Sequence, residues 1–162
     1  MNQAPKDVDI HMDYMDQTKA TRDYEVTLGG IVIGGGELAL TKEASKVEIS
    51  YLTINDKDMR GKGYGKAARA KLMQCILEDY QWAETVFSSI DNVAALKAAI
   101  ATPVPEGWSR LFKLSSLNGE ETEVVARFST KNQDEALNWV EQNGPVGVYY
   151  VKSASAKLFS RL

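Results

Sequence analysis

Apolar and polar residues alternate without a break through the first eight residues of "DVDIHMDYMD" (7–16). Val8, Ile10, Met12 and Tyr14 fall on one side, Asp7, Asp9, His11 and Asp13 on the other. A period of two is that of a half-buried strand. "YEVTL" and "IVIGGGELAL" flank Gly29-Gly30, the signal of a two-residue hairpin. "KVEISYLTI" (46–54), rich in β-branched and aromatic residues, predicts a fourth strand. Strict alternation along it sets Glu48, Ser50, Leu52 and Ile54 on one side. The period then lengthens: Ala68, Leu72, Cys75 and Ile76 form a helical apolar stripe, with Lys66, Arg69, Lys71 and Glu78 at polar positions. "TVFSSI" (85–90) reads as a short buried strand and "DNVAALKAAIA" (91–101) as an alanine-rich helix. Asp91 or Asn92 is its N-cap, and Pro103 and Pro105 lie past its end. "WSRLFKLSS" and "TEVVARFST" predict a hairpin around Asn118-Gly119. Asn132 and Glu135 have capping-box spacing ahead of "QDEALNWVEQN", which stops at Gly144-Pro145, and "VGVYYVKS" predicts one more strand. The pattern describes a single α+β domain over 1–162.

Composition narrows the chemistry. A net charge of −3 over 162 residues disfavours a general nucleic-acid binder. No apolar run approaches a membrane span, and "MNQAPKDVD" lacks the layout of a secretory signal. Cys75 and His11 are the only residues of their kinds, so an internal disulfide is excluded and no metal site is expected. Cys75, on the apolar stripe, reads as a core thiol, and a cytoplasmic setting is expected.

Against this acidic background, "RGKGYGKAA" (60–68) concentrates three glycines and three basic residues. A glycine-rich loop that opens a helix is a natural anion site, because free N–H groups and the macrodipole point outward together. Gly63 and Gly65 remove side chains that would block phosphate oxygens. Two general phosphate motifs fail on spacing. Gly61 stands one residue too close to Gly65-Lys66 for a Walker A loop, and Ala67 has no hydroxyl for magnesium. Glycines at 61, 63 and 65 also miss the dinucleotide fingerprint.

Arg60-x-x-Gly63-x-Gly65, between a strand and a long helix, resembles the acetyl-CoA signature of the GNAT N-acetyltransferase superfamily. "VEISYLTINDKDMRGKGYGKAARAKLM" resembles that family's fourth strand, pyrophosphate loop and third helix, and "SSIDNVAALKAA" its fifth strand and next helix. Gly107-Trp108 stands where the family usually has Gly-Phe. The resemblance implies a mixed α/β fold: a twisted, mostly antiparallel central sheet with helices on both faces. The family's first two helices would be shortened or absent, since only "DQTKATRD" separates Tyr14-Met15 from Tyr24.

It implies acetyl-CoA as co-substrate, its pyrophosphate held by Arg60, Gly61, Lys62, Gly63, Tyr64, Gly65 and Lys66. Main-chain atoms of Leu52, Thr53 and Ile54 would take the pantetheine arm, and Asn92 and Ala95 complete the set. Glu48 would receive the proton of a primary amine through water, and a backbone N–H, at Leu52, would stabilise the oxyanion. The tyrosine that often protonates the thiolate in this family is replaced by Ala99, and no tyrosine lies between Gln81 and Tyr149. Either water protonates the thiolate, or Tyr149 or Tyr150 substitutes within the chain; a coenzyme A-binding or regulatory module with little chemistry is the alternative. Residues 131–162, an addition to the pattern, are expected to pack on the acceptor side. Neither membrane nor nucleic acid is an expected partner, and exposed strand edges leave room for a homodimer.

Overall fold

A computed structural model of the protein describes residues 8–13, 20–55, 63–117 and 124–152. Arg60, Gly61, Lys62, Tyr14 and the Asn118-Gly119 turn lie outside these residues. The chain divides into two compact units, Met1–Ala83 and Glu84–Leu162.

In the first unit β1 (Val8–Met12), β2 (Thr21–Leu28), β3 (Ile31–Thr41) and β4 (Lys46–Ile54) form an antiparallel meander, followed by α1 (Tyr64–Asp79). Gly29 (φ 58°) and Gly30 (φ 83°) make the β2–β3 turn, both in the left-handed region that this tight connection requires. Val8, Ile10, Tyr24, Val26, Leu38, Val47 and Ile49 are buried, and α1 lies against β1 and β4. The helix buries Ala68, Leu72, Met73 and Ile76, while Cys75 is half-buried. Arg69, expected on the polar side, is only 7% exposed.

Two bulges interrupt the ladders. The β2–β3 register passes from Val26↔Gly34 to Thr27↔Val32, leaving Ile33 as the extra residue. The β3–β4 register passes from Glu37↔Tyr51 to Leu38↔Ile49, leaving Ser50 unpaired.

In the second unit β5 (Thr85–Ile90), α2 (Val93–Ala101), β6 (Trp108–Leu117), β7 (Val124–Thr130), α3 (Gln133–Gln142) and β8 (Val146–Lys152) follow in sequence. Their strand order is β5-β8-β6-β7, with antiparallel pairing throughout. Within the segment from residue 131, β8 is an inner strand of this unit, bonded to β5 along one edge and β6 along the other. Val146, Val148, Tyr150 and Val151 of β8 are buried, together with Val86, Leu96, Leu114, Ala136 and Val140. Arg110 closes α2 from β6, its Nη1 donating to the carbonyls of Ile100 (2.9 Å) and Thr102 (3.0 Å). No helix among the described residues is long and apolar enough to cross a membrane.

Candidate functional site

The bulge at Ser50 decides what β4 presents. Directly opposed residues of neighbouring strands share a face. Leu38, Gly36 and Gly34 alternate along one face of β3 and oppose Ile49, Leu52 and Ile54. Leu52 and Ile54 thus lie on the face of the buried Val47 and Ile49. Glu48 opposes Ala39, and its face continues through Tyr51 (opposite Glu37) and Thr53 (opposite Gly35). The expectation that Glu48 shares a side with Leu52 and Ile54 is corrected: one inserted residue changes the parity of everything after it. Glu48 is half-buried, and Asp23, Glu25 and Glu37 occupy the same face through their registers. Thr53 is exposed, and its hydroxyl bonds the Asn55 side-chain oxygen at 3.0 Å.

The backbone just past the bulge is held from two strands away. Tyr24 on β2 is 3% exposed, and its hydroxyl donates to the Tyr51 carbonyl at 2.7 Å. Tyr24, Gly36 and Leu52 stand in one row across β2, β3 and β4. A Cβ at Gly36 would meet the Tyr51 carbonyl oxygen and the Oη and Cζ of Tyr24, so glycine clears the space in which the bond is made. Burial pushes the Tyr24 phenol well above the ordinary tyrosine range, partly offset by the Arg69 guanidinium. Tyr24 therefore stays a donor. Neither residue was anticipated from sequence, although three consecutive glycines inside a strand signal a close approach.

The start of α1 is bare of side-chain caps. Gly63, its N-cap, has φ 85° and no capping bond, and the first turn holds no acidic residue. The first bond inward is Ala67 N–H to the Gly63 carbonyl at 3.0 Å. Lys66 is exposed, and the nearest neighbour of a Cβ at Gly65 would be the Ile54 side chain at 4.0 Å. First-turn N–H groups of a helix have no intrahelical acceptor. A left-handed glycine, first-turn N–H groups without intrahelical acceptors and a lysine suit an anion.

The other expected residues belong to the second unit. The Asn92 side chain accepts from the Ala95 N–H at 2.8 Å and caps α2. Ala99 is buried, and its carbonyl accepts the Tyr150 hydroxyl at 3.0 Å. Tyr150, 1% exposed, is thereby a satisfied core residue, while Tyr149 packs on Phe87 with ring centroids 4.5 Å apart. In the first unit, burial above all, then Asp79, pushes the Cys75 thiol up, as suits an inert sulfur rather than a nucleophile. Among the described residues no group of three metal-ligating side chains occurs.

No protein-family model matches the sequence, and no curated protein matches it at a significant level. Solved structures do match. An acetyltransferase from Bacillus subtilis in complex with CoA is 14% identical, with a TM-score of 0.56 over 90% of this chain and 98% of that one. Spermidine N-acetyltransferase from Vibrio cholerae, in complex with CoA and spermine, is 15% identical, with a TM-score of 0.55 over 83% and 68%. Aminoglycoside acetyltransferase AAC(6')-Ib, in complex with coenzyme A and kanamycin, is 13% identical, with a TM-score of 0.54 over 89% and 74%. At such identities the likeness is one of architecture, and the architecture is consistent: the chain has the fold of the GNAT N-acetyltransferases.

Proposed function

We propose that the protein is an acetyl-CoA-dependent N-acetyltransferase acting on a primary amine by direct attack. The observation that carries the reading is the bulged β4 followed by an α1 whose N-terminus starts on a left-handed glycine without a side-chain cap. Both occur in a chain with the fold of acetyltransferases solved with coenzyme A. Arg60 to Lys66 would receive the pyrophosphate, and the main chain of Leu52 to Ile54 the pantetheine arm. The amine nitrogen attacks the thioester carbonyl, the Leu52 N–H stabilises the oxyanion, and collapse breaks the C–S bond. Glu48 accepts the amine's proton through water, and the thiolate takes a proton from solvent, since Tyr150 is committed to the Ala99 carbonyl. Asp23, Glu25 and Glu37 beside Glu48 favour the approach of a cationic amine.

Free thiol released from acetyl-CoA, measured with and without a panel of polyamines, aminoglycosides and peptide amines, tests the reading. Glu48→Gln keeps the shape; coenzyme A affinity should hold while turnover falls about a hundredfold or more. Turnover at the parental rate would remove Glu48 from the mechanism. Ala99 at the family's tyrosine position favours a second reading, a coenzyme A-binding module without fast chemistry. Tight coenzyme A binding with no thiol release from any amine would establish it.

A further inference from the structure

The bond between Tyr24 and the Tyr51 carbonyl ends on a peptide whose other half matters. The carbonyl of Tyr51 and the N–H of Leu52 belong to one planar trans unit, in which they point in opposite directions. The carbonyl accepts from a residue of β2, reached across Gly36 of β3. It is therefore directed toward β3, and the Leu52 N–H toward the opposite edge of β4. The unpaired Ser50 stands just before this peptide. A bulge disrupts the ladder locally, and pairing resumes at this peptide, with Tyr51 opposite Glu37 and Leu52 opposite Gly36. The Tyr24 hydroxyl adds a further bond there, from a buried ring two strands away.

A donor at the carbonyl also polarises the amide. Charge drawn onto the oxygen leaves the N–H a stronger donor, by roughly 10–30% for each bond in a chain. We propose that Tyr24 is a positioning residue for acetyl transfer: through the Tyr51 carbonyl it orients and strengthens the Leu52 N–H, and Gly36 is glycine to let it do so. The inference rests on the acetyl-transfer reading, in which that N–H faces the oxyanion. Burial, which outweighs the opposing pull of Arg69, keeps the phenol protonated across the working pH range, so the device acts by geometry and polarisation and does not transfer a proton. Its effect belongs to the transition state, since charge grows on the substrate oxygen only there.

Tyr24→Phe removes one oxygen and keeps the ring. The kcat for thiol release should fall about tenfold, short of the hundredfold or more that follows loss of an oxyanion donor itself. KM for acetyl-CoA and coenzyme A affinity should stay within about twofold, the signature of an interaction made only in the transition state. In protein labelled with [15N]leucine, the Leu52 amide nitrogen, which senses bonding at the carbonyl of its own peptide, should move upfield. Gly36→Ala places its methyl onto the same bond, so it should reproduce the loss of kcat with Tyr24 intact. The double variant should then be no slower than the worse single variant, because both break one interaction. An unchanged kcat in folded Tyr24→Phe, or an unshifted Leu52 nitrogen, overturns the proposal. A wild-type protein that releases no thiol with any amine instead overturns the acetyl-transfer reading, so the two failures appear in different measurements. If Tyr24→Phe does not fold, 3-fluorotyrosine at position 24 keeps the bond with a stronger donor. The Leu52 nitrogen must then move downfield, and its failure to move overturns the proposal.

Discussion

Tyr24 ties its neutral form to the folded state. Its phenol loses a proton less readily when buried than in the unfolded chain, where the ordinary value is about 10. The folded state therefore holds the proton longer, and this contribution to stability is complete below about pH 10 and declines as the pH climbs above it. The slope is at most about 1.4 kcal/mol per pH unit. Urea unfolding at pH 9, 10 and 11 should show a falling midpoint, and Tyr24→Phe should flatten the fall. A second expectation concerns Cys75, whose thiol is raised by burial and by Asp79. Its alkylation by iodoacetamide at pH 8 should be several-fold slower than that of a free thiol, with urea restoring the rate. Alkylation of the folded protein at the free-thiol rate would show a more accessible sulfur than the half-buried one described.

The three α-helices among the described residues start in two different ways. Asn92 caps α2, and Asn132 caps α3 by accepting from the Glu135 N–H at 3.1 Å. Asn132→Ala should cost about 1 kcal/mol in chemical denaturation. Gly63 offers α1 nothing of the kind, and its φ of 85° is costly for a branched residue. Gly63→Val should weaken coenzyme A binding by calorimetry about tenfold or more; equal affinity would place the anion elsewhere. The caps of α2 and α3 and the extent of β4 were legible because local chemistry determines them: an amide at the right spacing, a run of β-branched residues. The parity of Glu48 was not. Nothing local marks Ser50 as an extra residue; only the pairing of Leu38 with Ile49 and Glu37 with Tyr51 reveals it. Likewise Tyr24 and Tyr51 are 27 positions apart, a separation at which only register across three strands brings a hydroxyl to a carbonyl. Arg69 reads as a solvent-facing cation by period alone, yet it is buried beside Tyr24.

At the scale of the whole molecule, the segment after Thr130 supplies the strand that joins β5 to β6. Deleting residues from Lys131 onward removes α3 and β8, and with β8 the partner of β5 within its unit and one of the two partners of β6. The truncated chain should lose protection from hydrogen exchange in Thr85–Ile90 and along the β8-facing edge of β6, whereas the meander before it depends on none of these partners. Retained protection in β5 and β6 would show that these strands stand without β8. The same strand order has a consequence during synthesis. A ribosome delivers β5, β6 and β7 well before β8, yet β5 and β6 meet only through the later strand. Until residues 146–152 have cleared the exit tunnel, β5 has no partner within its unit and the β6–β7 hairpin keeps an open edge, the kind of surface on which nascent chains aggregate. The first unit, whose strands pair in the order they are made, can condense as it emerges. Slow translation should therefore be harmless through residue 83 and hazardous between residues 90 and 146, where a stalled chain holds strands awaiting their inner partner.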